Sequence, residues 1–333
     1  RYVYVCIKIR EVFLMAMEQT NHPGGPAAQA CQMFVNPVLD GCADPDVIFY
    51  EGKYYLYATN TDMKDASEMG FKVYTSEDLV HWTDAGMALK ACDSWGEKQF
   101  WAPDIVYVDG IFYLSYSVEE HLCIATSRSP LGPFVQEVKK PLHEDIKEID
   151  SHFFQDGDGA WYLYFVRFFD SNQIWGARLA DDMMSIREET LTRLLVPDTP
   201  WECKQWPVNE APYMIRHKGL YYLTYSGSHC LSDYGSGYAV SDSPLGHYEK
   251  YGNNPILRSN DKVHGVGHHC ITWSPDNKEM FIIYHQHYDL TRMSPRRLCV
   301  DRIHFEAQEN GPDILVAEGP TTEPQPCFFQ QEQ

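Results

Sequence analysis

The sequence predicts an all-β protein, specifically a five-bladed β-propeller, on three observations. First, a short polar motif followed by an aromatic strand recurs five times along the chain. Second, the aromatic strands begin at residues 54, 112, 161, 221 and 280, so the copies are 49 to 60 residues apart. Third, short runs with a period of two residues lie between turn residues, and long helical patterns are missing. A repeat of this length fits one propeller blade, which is a four-stranded sheet.

Each copy of the repeat has the same internal order. The motif comes first, the aromatic strand second, and a segment that ends in turn residues third; one such turn, Ser-Pro-Leu-Gly, occurs at both 129–132 and 243–246. The motifs and their strands are 44–47 with 52–57, 101–104 with 110–116, 150–153 with 159–164, 210–213 with 219–225, and 267–270 with 280–284. Because the innermost strands of a propeller surround its central channel, we expect the first residues of all five motifs to converge there.

Composition and charge restrict the partners of the protein. The formal net charge of −20 argues against nucleic acid and anionic membranes, which require Lys and Arg to neutralise phosphate. No run of 18 apolar residues exists, so we expect no transmembrane helix. The ten cysteines show no C-x-x-C motif and no regular spacing, which favours a reducing, cytoplasmic location over a secreted one.

The chain divides into an extension and one domain. Residues 1–33 contain a Gly/Pro/Ala-rich linker at 22–28, and the apolar run near the start is broken by charges, which is not typical of a signal peptide. We expect this extension to be poorly ordered in part. Residues 34–333 are predicted to form a single propeller domain, and the sequence does not indicate its oligomeric state.

Three of the converging positions carry carboxylic acids, namely Asp44, Asp150 and Glu210. A cluster of carboxylates is unfavourable unless one stays protonated or a cation is near, so proteins keep such clusters mainly for function. Glycoside hydrolysis needs one acid to protonate the leaving oxygen and one base to activate water. A third carboxylate, held negative beside the acid, would keep that acid protonated near neutral pH.

The motifs also resemble those of glycoside hydrolase family 43. The resemblance rests on Asp44-Pro45, Trp101-Ala102-Pro103-Asp104, Asp150, Glu210-Ala211-Pro212, Gly267-His268 and the segment 296–301, in this order and spacing. It extends from about Asn36 to Pro326 and implies a five-bladed propeller, in agreement with the repeat count. It also implies an enzyme that inverts the configuration at the anomeric carbon.

The resemblance implies a role for each site residue. Asp44 matches the general base, Glu210 the general acid, and Asp150 the residue that tunes the pKa of the acid and orients it. Arg296 matches an arginine that contacts the sugar. His268 matches a histidine of the channel that contacts a calcium ion in many members, so Ca²⁺ is a possible cofactor; no organic cofactor is expected.

Two aromatic residues complete the predicted sugar site. Trp101 and the neighbouring Phe100 lie at the channel end of the second repeat, where we expect them to form a stacking wall. Asp46 and Asp104 recur at equivalent places in two repeats, which favours structural hydrogen bonds. His285 and His287 are interpreted as ordinary strand residues.

The favoured function is an exo-acting hydrolase that releases β-D-xylose or α-L-arabinofuranose from plant oligosaccharides or polysaccharides. Endo-arabinanase and galactan-degrading activities on the same fold are alternatives. A sugar-binding propeller without catalysis is a further alternative, although all three carboxylates are present. A zinc site formed by the histidines at 264–269 is disfavoured, because no Glu or Cys spacing completes it. Four tryptophans, at positions 95, 175, 201 and 206, are interpreted as loop residues without an assigned role.

Overall fold

Every copy of the repeated motif forms the first strand of its own sheet in the computed structural model, which describes residues 33–328. The predicted extension, apart from Met33, lies outside the described residues. Twenty-three strands occur in this part of the chain: β1 (Met33–Phe34), β2 (Leu39–Asp40), β3 (Cys42–Tyr50), β4 (Lys53–Asn60), β5 (Gly70–Ser76), β6 (Thr83–Lys90), β7 (Phe100–Val108), β8 (Ile111–Val118), β9 (His121–Ser127), β10 (Glu148–Gln155), β11 (Trp161–Phe168), β12 (Asn172–Arg178), β13 (Thr192–Leu195), β14 (Asn209–His217), β15 (Leu220–Gly227), β16 (Gly235–Ser241), β17 (Glu249–Lys250), β18 (Leu257–Arg258), β19 (Gly267–Trp273), β20 (Met280–Gln286), β21 (Arg297–Glu306), β22 (Ile314–Ala317) and β23 (Gln325–Pro326).

The strands form five antiparallel blades, which confirms the predicted five-bladed β-propeller. Blade I comprises β3–β6, blade II β7–β9, blade III β10–β13, blade IV β14–β18, and blade V β19–β22 together with β2. The helices of the described residues are three 3-10 turns, at Ala66–Glu68, Ala91–Asp93 and Glu188–Thr190. No helix between residues 33 and 328 is long and apolar enough to cross a membrane.

A strand from before blade I closes the ring. Strand β2 pairs with β21 of blade V, in a register that sets Leu39 opposite Leu298 and Asp40 opposite Arg297. A second pairing joins β1 to β23. Blade V therefore contains strands from both ends of the described chain, which ties the last blade to the first.

Blade II differs from the predicted four strands. It has three, and its outer edge is covered by a segment that meets β9 in one antiparallel bridge, between Thr126 and Val135. Pro130 and Pro133 lie in this segment. Proline has no backbone N–H to donate to a ladder, which explains why a regular fourth strand does not form here.

Aromatic side chains fill the spaces between blades. Between blades I and II, for example, Tyr57, Phe71, Phe112 and Tyr116 are at most 1% exposed, and the rings of Phe71 and Tyr116 meet edge to face at 5.4 Å. Large flat rings bury much apolar area between two pleated surfaces. The high aromatic content of the sequence therefore serves mainly the interior of the propeller.

All five innermost strands contain a β-bulge near their start. At each bulge one residue has a positive φ, although none of the five is glycine: Asp44 (48°), Ala102 (46°), Asp150 (55°), Ala211 (52°) and His268 (46°). A non-glycine residue is uncommon in this region and is held there by its surroundings. Bulges redirect a side chain relative to the regular pleat, and here they act at the level of the channel.

Candidate active site

The five bulges bring distant parts of the sequence to one place. A small cavity of about 20 Å³ in the channel is lined by residues from all five innermost strands, including Ala102, Asp150, Ala211 and His268. This convergence was predicted from the repeat. The cavity is too small for a sugar ring, so a substrate must bind at the mouth of the channel.

Glu210 lies one residue before the bulge of its strand, whereas Asp44 and Asp150 are themselves bulge residues. In the β14–β15 register Glu210 is opposite Ser226, as Trp101 is opposite Ser117 in blade II. The offset that the sequence shows between Glu210 and the other two acids is therefore present in the structure, and it directs the Glu210 carboxyl to a different level of the site.

Asp44 is surrounded by positive and donor groups. Arg296 binds it with both terminal nitrogens, Nη1 to Oδ1 at 2.9 Å and Nη2 to Oδ2 at 3.2 Å. The His268 Nδ1 lies 3.2 Å from Oδ1, and the Asp44 backbone N–H donates to Nδ1 of the buried His285 at 3.1 Å. Burial alone would raise the pKa of Asp44, but Arg296 foremost, then His268 and His285, hold it well below its usual range. The carboxylate is therefore ionised at neutral pH.

Asp150 has the opposite protonation tendency. Its side chain is 6% exposed, and burial, the Glu210 carboxyl and Asp44 together raise its pKa well above the usual range. Two groups act against this shift: the Ala211 backbone N–H, which donates to Asp150 Oδ2 at 3.2 Å, and the charge of Arg296. Asp150 thus accepts the N–H of the Glu210–Ala211 peptide, which lies on the strand that carries Glu210.

Glu210 is a half-buried carboxyl with few donors. Burial raises its pKa to about 7; the Tyr234 hydroxyl and Asn172 act in the opposite direction, and the charge of Asp44 adds to the rise. Asn172 donates from Nδ2 to Oε2 at 3.0 Å, and the buried Tyr234 hydroxyl, which has no hydrogen-bond partner among the described residues, is near enough to lower the pKa of Glu210. At neutral pH a large fraction of Glu210 therefore carries a proton.

The expectation that Asp150 stays charged needs refinement. The pKa values of Asp150 and Glu210 are both raised, so the pair holds a proton at neutral pH rather than one fixed charge and one acid. Burial is the leading cause for both groups. The Ala211 N–H favours the charged form of Asp150 and so favours the proton on Glu210.

A cleft of about 320 Å³ opens beside Glu210. Its walls include two exposed aromatic side chains, Phe169 at 60% and Trp206 at 61%, together with Asn172 and His229. Exposed aromatic rings beside a half-buried carboxyl are suited to holding a sugar by stacking, and the volume is in the range of small-molecule sites. The site therefore joins two carboxyls of opposite protonation to an open cleft.

A family model for glycosyl hydrolases family 43 matches residues 34–310. The chain belongs to family 43. The match includes the innermost strands of all five blades and ends before β22, and the resemblance found in the sequence motifs is thereby confirmed, as is the assignment as a glycoside hydrolase.

Relatives with known names support the same family. The chain is 29% identical to a β-D-galactofuranosidase, xynD, of Aspergillus niger over 85% of its own length and 86% of that protein. It is 27% identical to a xylosidase/arabinosidase of Bacteroides ovatus over 64% of this chain and 78% of the relative.

Solved structures agree with the fold. The crystal structure of an endo-1,4-β-xylanase from Bacteroides thetaiotaomicron is 39% identical, with a TM-score of 0.80, and the match covers 89% of this chain and 100% of that one. A thermostable family-43 glycoside hydrolase is 36% identical with a TM-score of 0.81, over 90% and 100%. The names of these relatives and structures differ in substrate and in exo or endo action.

Within this family-43 site, one predicted sugar contact is wrong. Phe100 is 4% exposed and packs in the core against Phe71 and Tyr116. Successive side chains of a strand point to opposite faces, so Phe100 and Trp101 cannot both face the mouth of the channel. Trp101 is half-buried and occupies in blade II the place of Glu210 in blade IV, so its sugar contact stays a prediction.

The calcium expectation is not supported by a set of ligands. Among residues 33–328, no group of three or more His, Cys, Asp or Glu side chains is arranged to hold a metal ion. Calcium prefers six to eight oxygen ligands, and His268 offers a nitrogen that faces Asp44 at 3.2 Å and Asp150 at 3.9 Å. Calcium therefore stays a prediction, and the chemistry below uses the side chains alone.

Three supporting residues were not found from the sequence. Asn172 and Tyr234 approach Glu210, and His285, which was interpreted as an ordinary strand residue, accepts the Asp44 N–H. They come from β12, from the segment before β16, and from β20, and none lies in the motif of the acid it supports. Only His285 could have been found from the repeat. It occupies the register position that a hydroxyl residue holds in three other blades, namely Thr59, Ser117 and Ser226.

The paired acids Asp46 and Asp104 connect neighbouring blades. Asp46 Oδ2 accepts the Ile105 N–H at 2.8 Å, and Asp104 Oδ2 accepts the Phe153 N–H at 2.9 Å. Asp104 also bonds to His152 Nδ1 at 2.7 Å. These contacts agree with the structural role expected for the two residues.

Proposed function

We propose that this chain is an inverting, exo-acting glycoside hydrolase that releases terminal β-D-xylose or α-L-arabinofuranose from plant-derived oligosaccharides. The observation that carries the proposal is the opposite protonation of two carboxyls in one site, one buried and one half-buried. Asp44 is ionised beside Arg296, while Glu210 has a pKa of about 7. One group can accept a proton and the other can donate one at the same pH, as hydrolysis requires.

In the proposed reaction, Asp44 and Glu210 act in one displacement. Asp44 accepts a proton from water as the water oxygen bonds to the anomeric carbon. The bond between that carbon and the leaving oxygen breaks as Glu210 transfers its proton to that oxygen. The products are the released sugar with inverted configuration and the shortened oligosaccharide. Asp150 holds the Glu210–Ala211 peptide and favours the proton on Glu210.

The cleft beside Glu210 is the proposed binding site of the leaving sugar. An acid that protonates the leaving oxygen must lie next to the sugar that departs, and this cleft contains Glu210 together with Trp206 and Phe169. The reacting pentose would then lie above the channel, near Asp44, Arg296 and Trp101. The names of relatives, among them xylosidase/arabinosidase, support the pentose assignment.

The test uses nitrophenyl β-D-xyloside and nitrophenyl α-L-arabinofuranoside, with nitrophenyl β-D-galactofuranoside as a third substrate. The last one is included because of the A. niger relative. We expect release from at least one pentoside. Proton NMR of the first product from xylobiose or an arabino-oligosaccharide should show the inverted anomer.

Three outcomes would contradict the proposal in different ways. Release of galactofuranose alone would reject the pentose assignment but keep the mechanism. Mid-chain cleavage of arabinan or galactan, seen as a mixture of oligosaccharides without monosaccharide, would instead favour an endo-acting enzyme. No release from any of these substrates would favour a sugar-binding propeller.

A further inference from the structure

The bulges of the five innermost strands share a backbone contact with the preceding blade. At four of them the bulge N–H donates to a polar side chain on the second strand of that blade. The pairs are Ala102 with Thr59 Oγ1 at 2.9 Å, Asp150 with Ser117 Oγ at 3.0 Å, His268 with Ser226 Oγ at 2.8 Å, and Asp44 with His285 Nδ1 at 3.1 Å.

The four acceptors occupy one register position. Each is opposite the residue that precedes a bulge: Thr59 faces Ala43, Ser117 faces Trp101, Ser226 faces Glu210, and His285 faces Gly267. In blade III the same position, opposite Ile149, is held by Val166. Valine has no acceptor, and Val166 is fully buried in the core cluster that reaches Met214 of blade IV.

The blade that lacks this acceptor is blade III, which precedes the blade that carries Glu210. The bulge N–H that Val166 leaves without a side-chain acceptor belongs to Ala211, and it donates instead to Asp150 Oδ2. A buried N–H without an acceptor is costly, so the N–H and the carboxylate stabilise each other. The exception in the repeat thus falls where a carboxylate needs to be oriented.

We propose that Val166 is a positioning residue for catalysis: by offering no acceptor to the Ala211 N–H, it keeps that N–H for Asp150 and so fixes the carboxylate beside Glu210. The catalytic part of this inference rests on the proposed function. The titratable and charged groups around Asp150 come from three other blades and the segments beside them: Glu210, Asp44, His268, Arg296, Tyr234 and Cys230. The Ala211 N–H is the backbone donor that stabilises the charged form of Asp150, and it lies on the same strand as Glu210.

The decisive variant is Val166→Thr, which keeps the shape of valine and supplies a hydroxyl. The new hydroxyl should accept the Ala211 N–H, as Thr59 accepts the Ala102 N–H. Asp150 then loses its donor and holds the shared proton more strongly, so Glu210 loses its proton at lower pH. For an oligosaccharide substrate we expect the basic limb of the pH profile to move down by about one pH unit, so that kcat at pH 7 falls about fivefold while KM stays within about twofold.

The matched control is Thr59→Val, the reverse exchange in blade I. It removes the acceptor of the Ala102 N–H, which contacts none of the three acids, so the melting temperature should fall while the basic limb stays in place. Equal shifts of the pH profile in both variants would overturn the proposal. A folded Val166→Thr enzyme with the wild-type profile would overturn it as well.

A stability measurement tests the same contact without relying on activity. In an Asp150→Ala background the Ala211 N–H has no acceptor, and adding Val166→Thr should restore one. We expect the double variant to melt about 2 °C or more above Asp150→Ala alone, although Val166→Thr gives no such gain in the wild-type chain. Additive effects of the two substitutions would reject the shared N–H. This outcome can be read even if the protein hydrolyses none of the sugars tested, so the two proposals fail separately.

Discussion

Asp44 is a buried carboxyl and Glu210 a half-buried one, and their neighbours decide which of them carries a proton. Asp44 meets the charged guanidinium of Arg296, together with two imidazoles whose own pKa values burial lowers, whereas Glu210 meets an amide and a hydroxyl, both neutral. A neutral donor stabilises a carboxylate less than an ion pair does, so burial prevails at Glu210 and not at Asp44. A small number of side chains on other strands therefore sets the opposite protonation of the two carboxyls.

Glu210→Gln tests the acid. The amide cannot donate a proton to the leaving oxygen, so kcat on xylobiose or arabino-oligosaccharides should fall by about 10²–10⁴-fold. Loss on nitrophenyl glycosides should be much smaller, because nitrophenolate leaves without protonation. The wild-type rate should fall as pH rises through about 7, where Glu210 loses its proton, and this basic limb should be missing in the variant.

Asp44→Asn is the matched comparison for that experiment. Water activation is needed whatever the leaving group, so this variant should lose activity on both substrate types to a similar extent. Equal losses on both substrate types for Glu210→Gln would mean that Glu210 is not the acid. Retained activity in Asp44→Asn would mean that Asp44 is not the base.

At the scale of the element, the strand and its bulge explain what the sequence could and could not predict. The order and spacing of the motifs were enough to predict five blades and the convergence of Asp44, Asp150 and Glu210. The same motifs misplaced Phe100, since aromatic residues occupy both faces of these strands and composition cannot tell the core face from the open one. Trp175, interpreted as a loop residue, belongs to β12.

Contacts between elements far apart in sequence were the least predictable. Asn172 reaches Glu210 across 38 residues, and His285 reaches Asp44 across 241. Such partners have no fixed spacing, so no local pattern marks them. Strand β2 has two residues, which is too short for a periodic signal, although it closes the ring.

Trp206 lies in the segment between β13 and β14 and lines the cleft, so its replacement tests whether the cleft binds the leaving sugar. If its exposed ring stacks on the leaving sugar, Trp206→Ala should lower kcat/KM for a disaccharide about tenfold, which corresponds to about 1.4 kcal/mol. The melting temperature should change little, because 61% of the side chain is exposed and little packing is lost. Steady-state kinetics and thermal unfolding together separate the two effects.

Trp273→Ala is the control for this element. Trp273 is also exposed, at 42%, but it ends β19, whereas the motif residues of the site begin their strands. Its replacement should leave kcat/KM within about twofold. If the two tryptophan variants lose activity equally, stacking in the cleft is not the reason.

At the scale of the whole molecule, the propeller depends on how its last blade is closed. One fully buried carboxylate, Asp301 on β21, joins residues from both ends of the described chain. It accepts from Asn36 Nδ2 at 3.2 Å, the Tyr284 hydroxyl at 2.7 Å, the Thr321 N–H at 3.2 Å and Gln325 Nε2 at 2.9 Å. The closure is therefore held by a polar network in addition to the short strand pair.

Asn36→Ala tests the closure. Asn36 is 7% exposed and bonds both backbone groups of Val300, donating to its carbonyl at 2.9 Å and accepting its N–H at 2.9 Å. Alanine leaves the buried Val300 N–H unpaired and its carbonyl with the longer contact to Gln325 Nε2 at 3.4 Å, which should cost about 1–3 kcal/mol and lower the melting temperature by several degrees. Activity at 25 °C should be retained, because Asn36 contacts no residue of the site. Asn253→Ala, at an exposed asparagine whose amide bonds to the Tyr251 hydroxyl, should melt close to the wild type. A loss of melting temperature no larger than in that control would show that the strand pairs alone close the ring.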